Sequence, residues 1–155
     1  MQFAKETEPQ MADFYFAPGD RVQFSKTVGE SDVYLFAGIT GDLSPNHVDE
    51  ESMKKTRYGQ RIAHGALIVG YMSATSTKIF ELQRRVDADE RPVSLGYDRI
   101  RFLDAVCIGD TITVTYTIKS IDVERRRSVA AIVVTNQRGK DVAVGEHIMK
   151  WVSNR

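Results

Sequence analysis

A single cysteine, Cys107, stands in 155 residues, which excludes an internal disulfide. Its neighbours Ala105, Val106 and Ile108 suit a small buried hydrophobe rather than a nucleophile. An excess of either charge is also missing: 21 Lys and Arg face 21 Asp and Glu, so no global field draws nucleic acid or an anionic membrane surface. No apolar run reaches the roughly 20 residues a membrane helix needs, because Gly70, Ser73 and Thr75 break the longest candidate. Glu6 and Glu8 occupy the region where a signal peptide would have a basic start and an apolar core. These absences lead us to expect a cytoplasmic protein in a reducing compartment, with neither nucleic acid nor membrane as partner.

What is present is 42% hydrophobic residues, enough to bury an ordinary core in one domain over 1–155, with 1–12 a loose polar tail and order beginning near Asp13. After the turn-forming Pro18-Gly19-Asp20, residues 21–28 alternate apolar and polar as a half-buried strand does. Ser31 or Asp32 can cap a helix whose apolar face is Val33, Leu35, Phe36 and Ile39, and Gly41 ends it. Residues 41–45 read as a loop. Acids before bases over 49–55 predict a short exposed helix that ends near Gly59 and serves as a cover. From Gly65 to about Phe80 few faces are polar, so this helix must be wrapped by something.

The second half supplies the wrapper. Ile112, Val114, Tyr116 and Ile118 alternate with threonines over 111–118, predicting an antiparallel strand with one dry face. Residues 93–102, 126–135 and 142–152 are further strand-like runs, separated by turn signals at Gly109-Asp110 and at 136–140. The expected class is α+β, a curled antiparallel sheet around one long apolar helix. Too little helix is available to cover both faces, so a surface remains for a second copy and at least a homodimer is expected.

Chemistry concentrates in residues 36–49 and in Ala63-His64-Gly65. Asp42 and His47 lie five apart with Pro45 between them, so only loop geometry can bring them together. A carboxylate and an imidazole directed at one point can position a water and move protons both ways, as adding water to a double bond or removing it requires. Taken alone, Asp42 could equally cap the following turn and His47 could be a satisfied polar residue beneath it. His64 and Gly65 precede the apolar helix, where unpaired N–H groups and the positive dipole end could hold an oxyanion. Gly65 offers no side chain to obstruct an approaching thioester, or it only lets the helix begin in a crowded corner, and His64 reads as a supporting histidine. Ser73, eight residues on, returns to nearly the same helix face and could meet the substrate or Asp42, or bond back to a carbonyl one turn earlier.

Residues 36–49 together with 63–65 resemble the hydratase motif of the MaoC-like, (R)-specific enoyl-CoA hydratases, which have the hotdog fold. Residues 101–110 are similar to that family's loop between two long strands, so the resemblance runs from about Pro18 to the carboxyl terminus. It implies an (R)-specific enoyl-CoA hydratase, equally a 3-hydroxyacyl-CoA dehydratase, with Asp42 and His47 as the catalytic pair, the Gly65 N–H on the thioester oxygen and Ser73 supporting the site. It further implies an acyl-CoA or acyl carrier protein thioester as substrate, bound along a homodimer interface, and neither metal nor cofactor. Two departures stand out: Ser44 where asparagine is common, and Asn46 where an apolar residue is frequent, which would make the pocket more polar. Arg84, Arg85, Arg99, Arg101 and Arg125-Arg126-Arg127 are candidates for CoA phosphates. Thioester hydrolysis and a non-catalytic acyl-thioester binding subunit are the competing readings.

Overall fold

The structure, a computed structural model, describes residues 14–83 and 89–155. The expected tail 1–12, the start of order near Asp13, and the candidate phosphate ligands Arg84 and Arg85 lie outside the described residues. In chain order the elements are β1 (Arg21–Thr27), α1 (Glu30–Thr40), α2 (Pro45–Val48), α3 (Glu50–Met53), α4 (Gly65–Lys78) with a 3-10 turn Ile79–Leu82, then β2 (Glu90–Phe102), β3 (Thr111–Asp122), β4 (Arg127–Asn136) and β5 (Asp141–Ser153). The strands form one antiparallel sheet in the order β1-β3-β4-β5-β2. The sheet is not closed, and β1 and β2 are its edges.

Strict alternation in β3 places Ile112, Val114, Tyr116 and Ile118 on the inner face, all buried, against α4. Each fully buried aliphatic side chain of this kind contributes about 1.5–3 kcal/mol over exposure. Ile68, Met72 and Ile79 of the helical segment complete the core from the other side. Two polar residues enter this layer without leaving unpaired hydroxyls: Thr75 bonds back to the Tyr71 carbonyl at 2.7 Å and Ser76 to that of Ser73 at 2.7 Å. Phe14, Tyr15 and Phe16 pack around Trp151 at one end. There Arg126 pairs with Glu90, which also accepts from the Tyr15 hydroxyl at 2.6 Å.

Three expectations need correction. Gly29, not Ser31 or Asp32, caps α1, and the Asp32 carboxylate reaches back to the Gly29 N–H at 2.8 Å as the third helical residue. Only Val33 and Ala37 of α1 are buried, whereas Leu35 and Ile39 are 67% and 81% exposed, so the helix turns a narrower apolar face inward than its composition suggested. The acid-rich helix is one turn long, and its Met53 is buried rather than part of an outer cover. Gly41 ends α1 as expected, in the left-handed conformation at φ 78°.

A buried histidine lies away from the conspicuous motif. His147 of β5 is bonded by Tyr116 at Nδ1 (2.9 Å) and Ser94 at Nε2 (2.8 Å), and Tyr97 stacks on its ring at 4.4 Å. Burial lowers its pKa from 6.5 to about 4, because a charged imidazolium would lose its hydration here. The unfolded chain therefore binds the proton first, and the stability of the neutral buried form is complete above 6.5 and lost as pH falls toward about 4. Denaturant titrations at pH 7 and pH 5 should show a fall in unfolding free energy on acidification, and the fall should be shallower in His147→Gln. An equal slope in both proteins would contradict the assignment.

Candidate active site

α1 stops at Gly41, and the chain then makes a tight descent to Pro45, which opens the one-turn helix α2. Pro45 suits the first helical position because its missing N–H would have had no partner there. The expected loop thus runs only to Ser44, and His47 sits on a helical turn, with its backbone N–H on the Ser44 carbonyl at 2.9 Å. Residues 61–64 then pass beneath it as an extended segment. The Ile62 N–H donates to the Asn46 carbonyl at 3.0 Å and the Ala63 N–H to that of Val106 at 2.7 Å, tying α2 to the loop between β2 and β3. Arg61 fastens the surrounding helices, donating to Glu50 at 2.9 Å, to Glu30 at 2.5 Å and to the Tyr34 hydroxyl at 2.7 Å. Those two carboxylates raise its pKa further above the ordinary arginine range.

The ring of His47 is oriented by one bond: Nδ1–H donates to the Ile62 carbonyl at 2.7 Å. A carbonyl only accepts, so the proton sits on Nδ1 and Nε2 keeps its lone pair. The His64 ring stacks on that of His47 at 3.7 Å and 28°, with Phe36 tilted against its other side at 4.8 Å. By the same reasoning His64 carries its proton on Nε2, which donates to the Asp42 backbone carbonyl at 3.0 Å. His64 is 1% exposed, so it offers no atom to a substrate; it holds the Asp42 backbone and the His47 ring together. The Asp42 side chain is exposed and accepts the Ser44 N–H at 3.3 Å.

One ligand atom from each of Asp42, His47 and His64 lies within 4.8 Å of the others. That span suits a water shared by the carboxylate and His47. The same three side chains could also converge on a metal ion, His64 from a buried position.

His47 and Gly65 open on one cavity of about 650 Å³, walled on its apolar side by residues such as Ile68, Phe102, Val142 and Ala143. Gly65 is the first residue of the 14-residue helix α4, whose initial N–H groups have no partner within the helix and lie at the positive dipole end. A Cβ at position 65 would come 2.6 Å from the Phe102 ring, so only glycine lets this helix start lie against Phe102 as packed. Asp42, His47 and Gly65 are therefore brought together. Ser73 and Asn46 are not. Ser73 lies on the exposed side of α4, about 12 Å along the axis, with Tyr97 as its neighbour. Asn46 is exposed and contributes only its backbone carbonyl to the arrangement.

A family model described as a MaoC like domain matches residues 13–139. The chain belongs to the MaoC-like domain family. The MaoC-like chain is 35% identical over 129 residues to the (R)-specific enoyl-CoA hydratase of Rhodospirillum rubrum, covering 83% of each chain. It is 34% identical over 127 residues to the 3-hydroxybutyryl-CoA dehydratase of Methylorubrum extorquens, covering 81% of this chain and 74% of that one. Among solved structures, the unliganded R-hydratase from Pseudomonas aeruginosa superposes with a TM-score of 0.74 at 27% identity, over 90% of this chain and 87% of that one. The (R)-hydratase from A. caviae involved in PHA biosynthesis gives 0.77 at 21% identity, over 87% and 96% respectively, which shows the shared fold. The sheet and its apolar helix are accordingly the hotdog fold expected from the motif.

Several contributors left no mark in the sequence reading. The Ile62 carbonyl acts through the backbone, Arg57 and Tyr58 line the cavity from a segment that showed no motif, and Phe102 does so from the family-like 101–110 stretch without having been singled out there. In the MaoC-like chain the histidine tautomers are checked by nitrogen-15 NMR of the imidazoles. His47 is expected to show protonated Nδ1 and His64 protonated Nε2, and the reverse assignment for His47 would remove its Nε2 as a base.

Proposed function

We propose that this MaoC-like protein reversibly adds water to the double bond of a 2-enoyl thioester, as an (R)-specific enoyl-CoA hydratase and, in reverse, a 3-hydroxyacyl-CoA dehydratase. The observation that carries the reading is an imidazole with Nε2 free and the start of α4 on one cavity, with the exposed Asp42 carboxylate close beside the imidazole. A hydro-lyase needs these three functions and no redox group.

Water held between Asp42 and His47 gives one proton to His47 Nε2 as its oxygen bonds the β-carbon. The π electrons move onto the thioester oxygen, where the Gly65 N–H and the dipole of α4 stabilise the enolate. The α-carbon then takes a proton by way of Asp42, restoring the carbonyl, so both water hydrogens end in the 3-hydroxyacyl product. Dehydration runs the same steps backwards. α4 reads Gly-Ala-Leu-Ile-Val-Gly-Tyr-Met-Ser-Ala-Thr-Ser-Thr-Lys and has no carboxylate that could activate water for thioester hydrolysis, so nothing favours that alternative.

The reading extends to a cytoplasmic, single-domain homodimer. Its support is the unpaired edge of β2, where Leu95 is 48% exposed, beside the open face of α4 formed by Ala66, Gly70, Ser73, Ala74 and Thr77. Ser73 and the neighbouring Tyr97 lie on that side, so a partner would bring the acyl portion of the site within their reach.

Asp42→Asn and His47→Ala should each keep the circular dichroism and melting of the parent while lowering kcat for crotonyl-CoA hydration by about 10²–10⁴-fold. Near-parental turnover in either variant would remove the mechanism. Sedimentation velocity should give a dimer for the parent and a shift toward monomer for Leu95→Arg; an unaltered dimer would move the interface elsewhere.

A further inference from the structure

The chain is neutral overall, but charge is not evenly spread around the cavity. Asp104, one of the lining residues, receives the Lys140 ammonium at 2.6 Å, and both Lys140 and the nearby Arg138 hold its carboxyl below the usual range. Arg57 lines the same cavity and feels that carboxylate only weakly. Lys140 is thus neutralised by Asp104, and of these cations Arg57 is the one that lines the cavity with His47 and Gly65.

Arg57 is the member of this group whose position the fold does not explain. It is exposed on the turn after α3, and among the described residues no carboxylate lies within ion-pair distance of it. Its guanidinium is nevertheless held in place: Nη2 donates to the Tyr58 hydroxyl at 2.8 Å, and the group lies 4.8 Å from the centre of the Tyr58 ring. A cation held over an aromatic ring, with most of its N–H donors still unused, loses little entropy when it grips an anion. Lys140, by contrast, is occupied by Asp104, which keeps that loop closed against β5 through the Asp104 and Leu103 N–H groups on the Val142 carbonyl.

We propose that Arg57, seated on Tyr58, forms the anion-binding rim of the cavity and receives a phosphate of the group that carries the thioester. The inference rests on the hydration reading, because a thioester reacting at His47 and Gly65 must extend its carrier out of the same cavity. The chemistry recognised is a phosphate ester attached to a pantetheine arm, common to CoA and to the prosthetic arm of a carrier protein. Arg57 acts in binding and has no part in proton transfer.

The test compares Arg57→Ala with the parent on three crotonyl thioesters: those of CoA, of phosphopantetheine, and of N-acetylcysteamine, which has no phosphate. The expected result is a KM for crotonyl-CoA raised at least about tenfold more than the KM for the N-acetylcysteamine thioester, with Arg57→Lys recovering part of the loss. An effect shared by the phosphopantetheine thioester assigns the rim to the phosphate next to the pantetheine arm, and an effect restricted to CoA assigns it to the nucleotide phosphates. Equal changes on all three thioesters, or none on any, would overturn the proposal. Calorimetric titration with CoA alone reads the rim without turnover: binding should weaken about tenfold in Arg57→Ala, and unaltered binding would overturn the rim. Failure of the parent to hydrate any of the three would count against the hydration reading, while the CoA titration would still judge Arg57.

Discussion

The proposed chemistry depends on which ring nitrogen of His47 holds the proton, and a single backbone carbonyl decides it. Because the Ile62 oxygen can only accept, it holds the Nδ1 proton and leaves a lone pair on Nε2. A bond of this sort contributes only about 0.5–1.5 kcal/mol to stability, yet without it the imidazole could rotate or change tautomer and no longer serve as a base. The local fold is arranged around that bond. Pro45 starts the turn that carries His47, the 61–64 segment brings Ile62 beneath it, and His64 stacks on the ring while its Nε2–H holds the Asp42 carbonyl.

The segment that supplies the carbonyl also ends at Gly65, the proposed oxyanion donor. Residues 61–64 lead directly into Gly65, so the spacing between the His47 ring and the start of α4 is set by a few covalent bonds and by the contacts to Asn46 and Val106. Arg61 fastens this short run to α1 and α3 through two carboxylates and a tyrosine. Behind it stands the sheet, whose buried β3 face and aromatic end cluster give α4 a firm support. Precision at the site therefore comes from local hydrogen bonds, and the bulk of the stability from the apolar layer under the helix.

Much of this was legible in the sequence because it follows from periodicity. The alternation over 111–118, the apolar character of α4 and the terminating Gly41 each have a local cause, and each appears where expected. The motif residues likewise placed Asp42, His47 and Gly65 together. What could not be read depends on tertiary contacts. Leu35 and Ile39 look like core residues, yet nothing in the described structure covers them, and Met53 looks like a surface residue until α3 folds onto its neighbours. Ile62 acts through an atom every residue possesses, and Arg57 and Phe102 meet the cavity only because distant segments converge. Ser73 shares a helix face with Gly65 by spacing, but two turns separate them along the axis and the cavity does not reach it.

The most direct test of the account is to supply (R)- and (S)-3-hydroxybutyryl-CoA separately and follow the absorbance of the conjugated enoyl thioester. A fixed His47 base and a fixed oxyanion donor act on one face of the substrate, so the (R) isomer should be dehydrated and the (S) isomer should remain. Equal reaction of both isomers, or preference for the (S) isomer, would contradict the geometry on which the account rests.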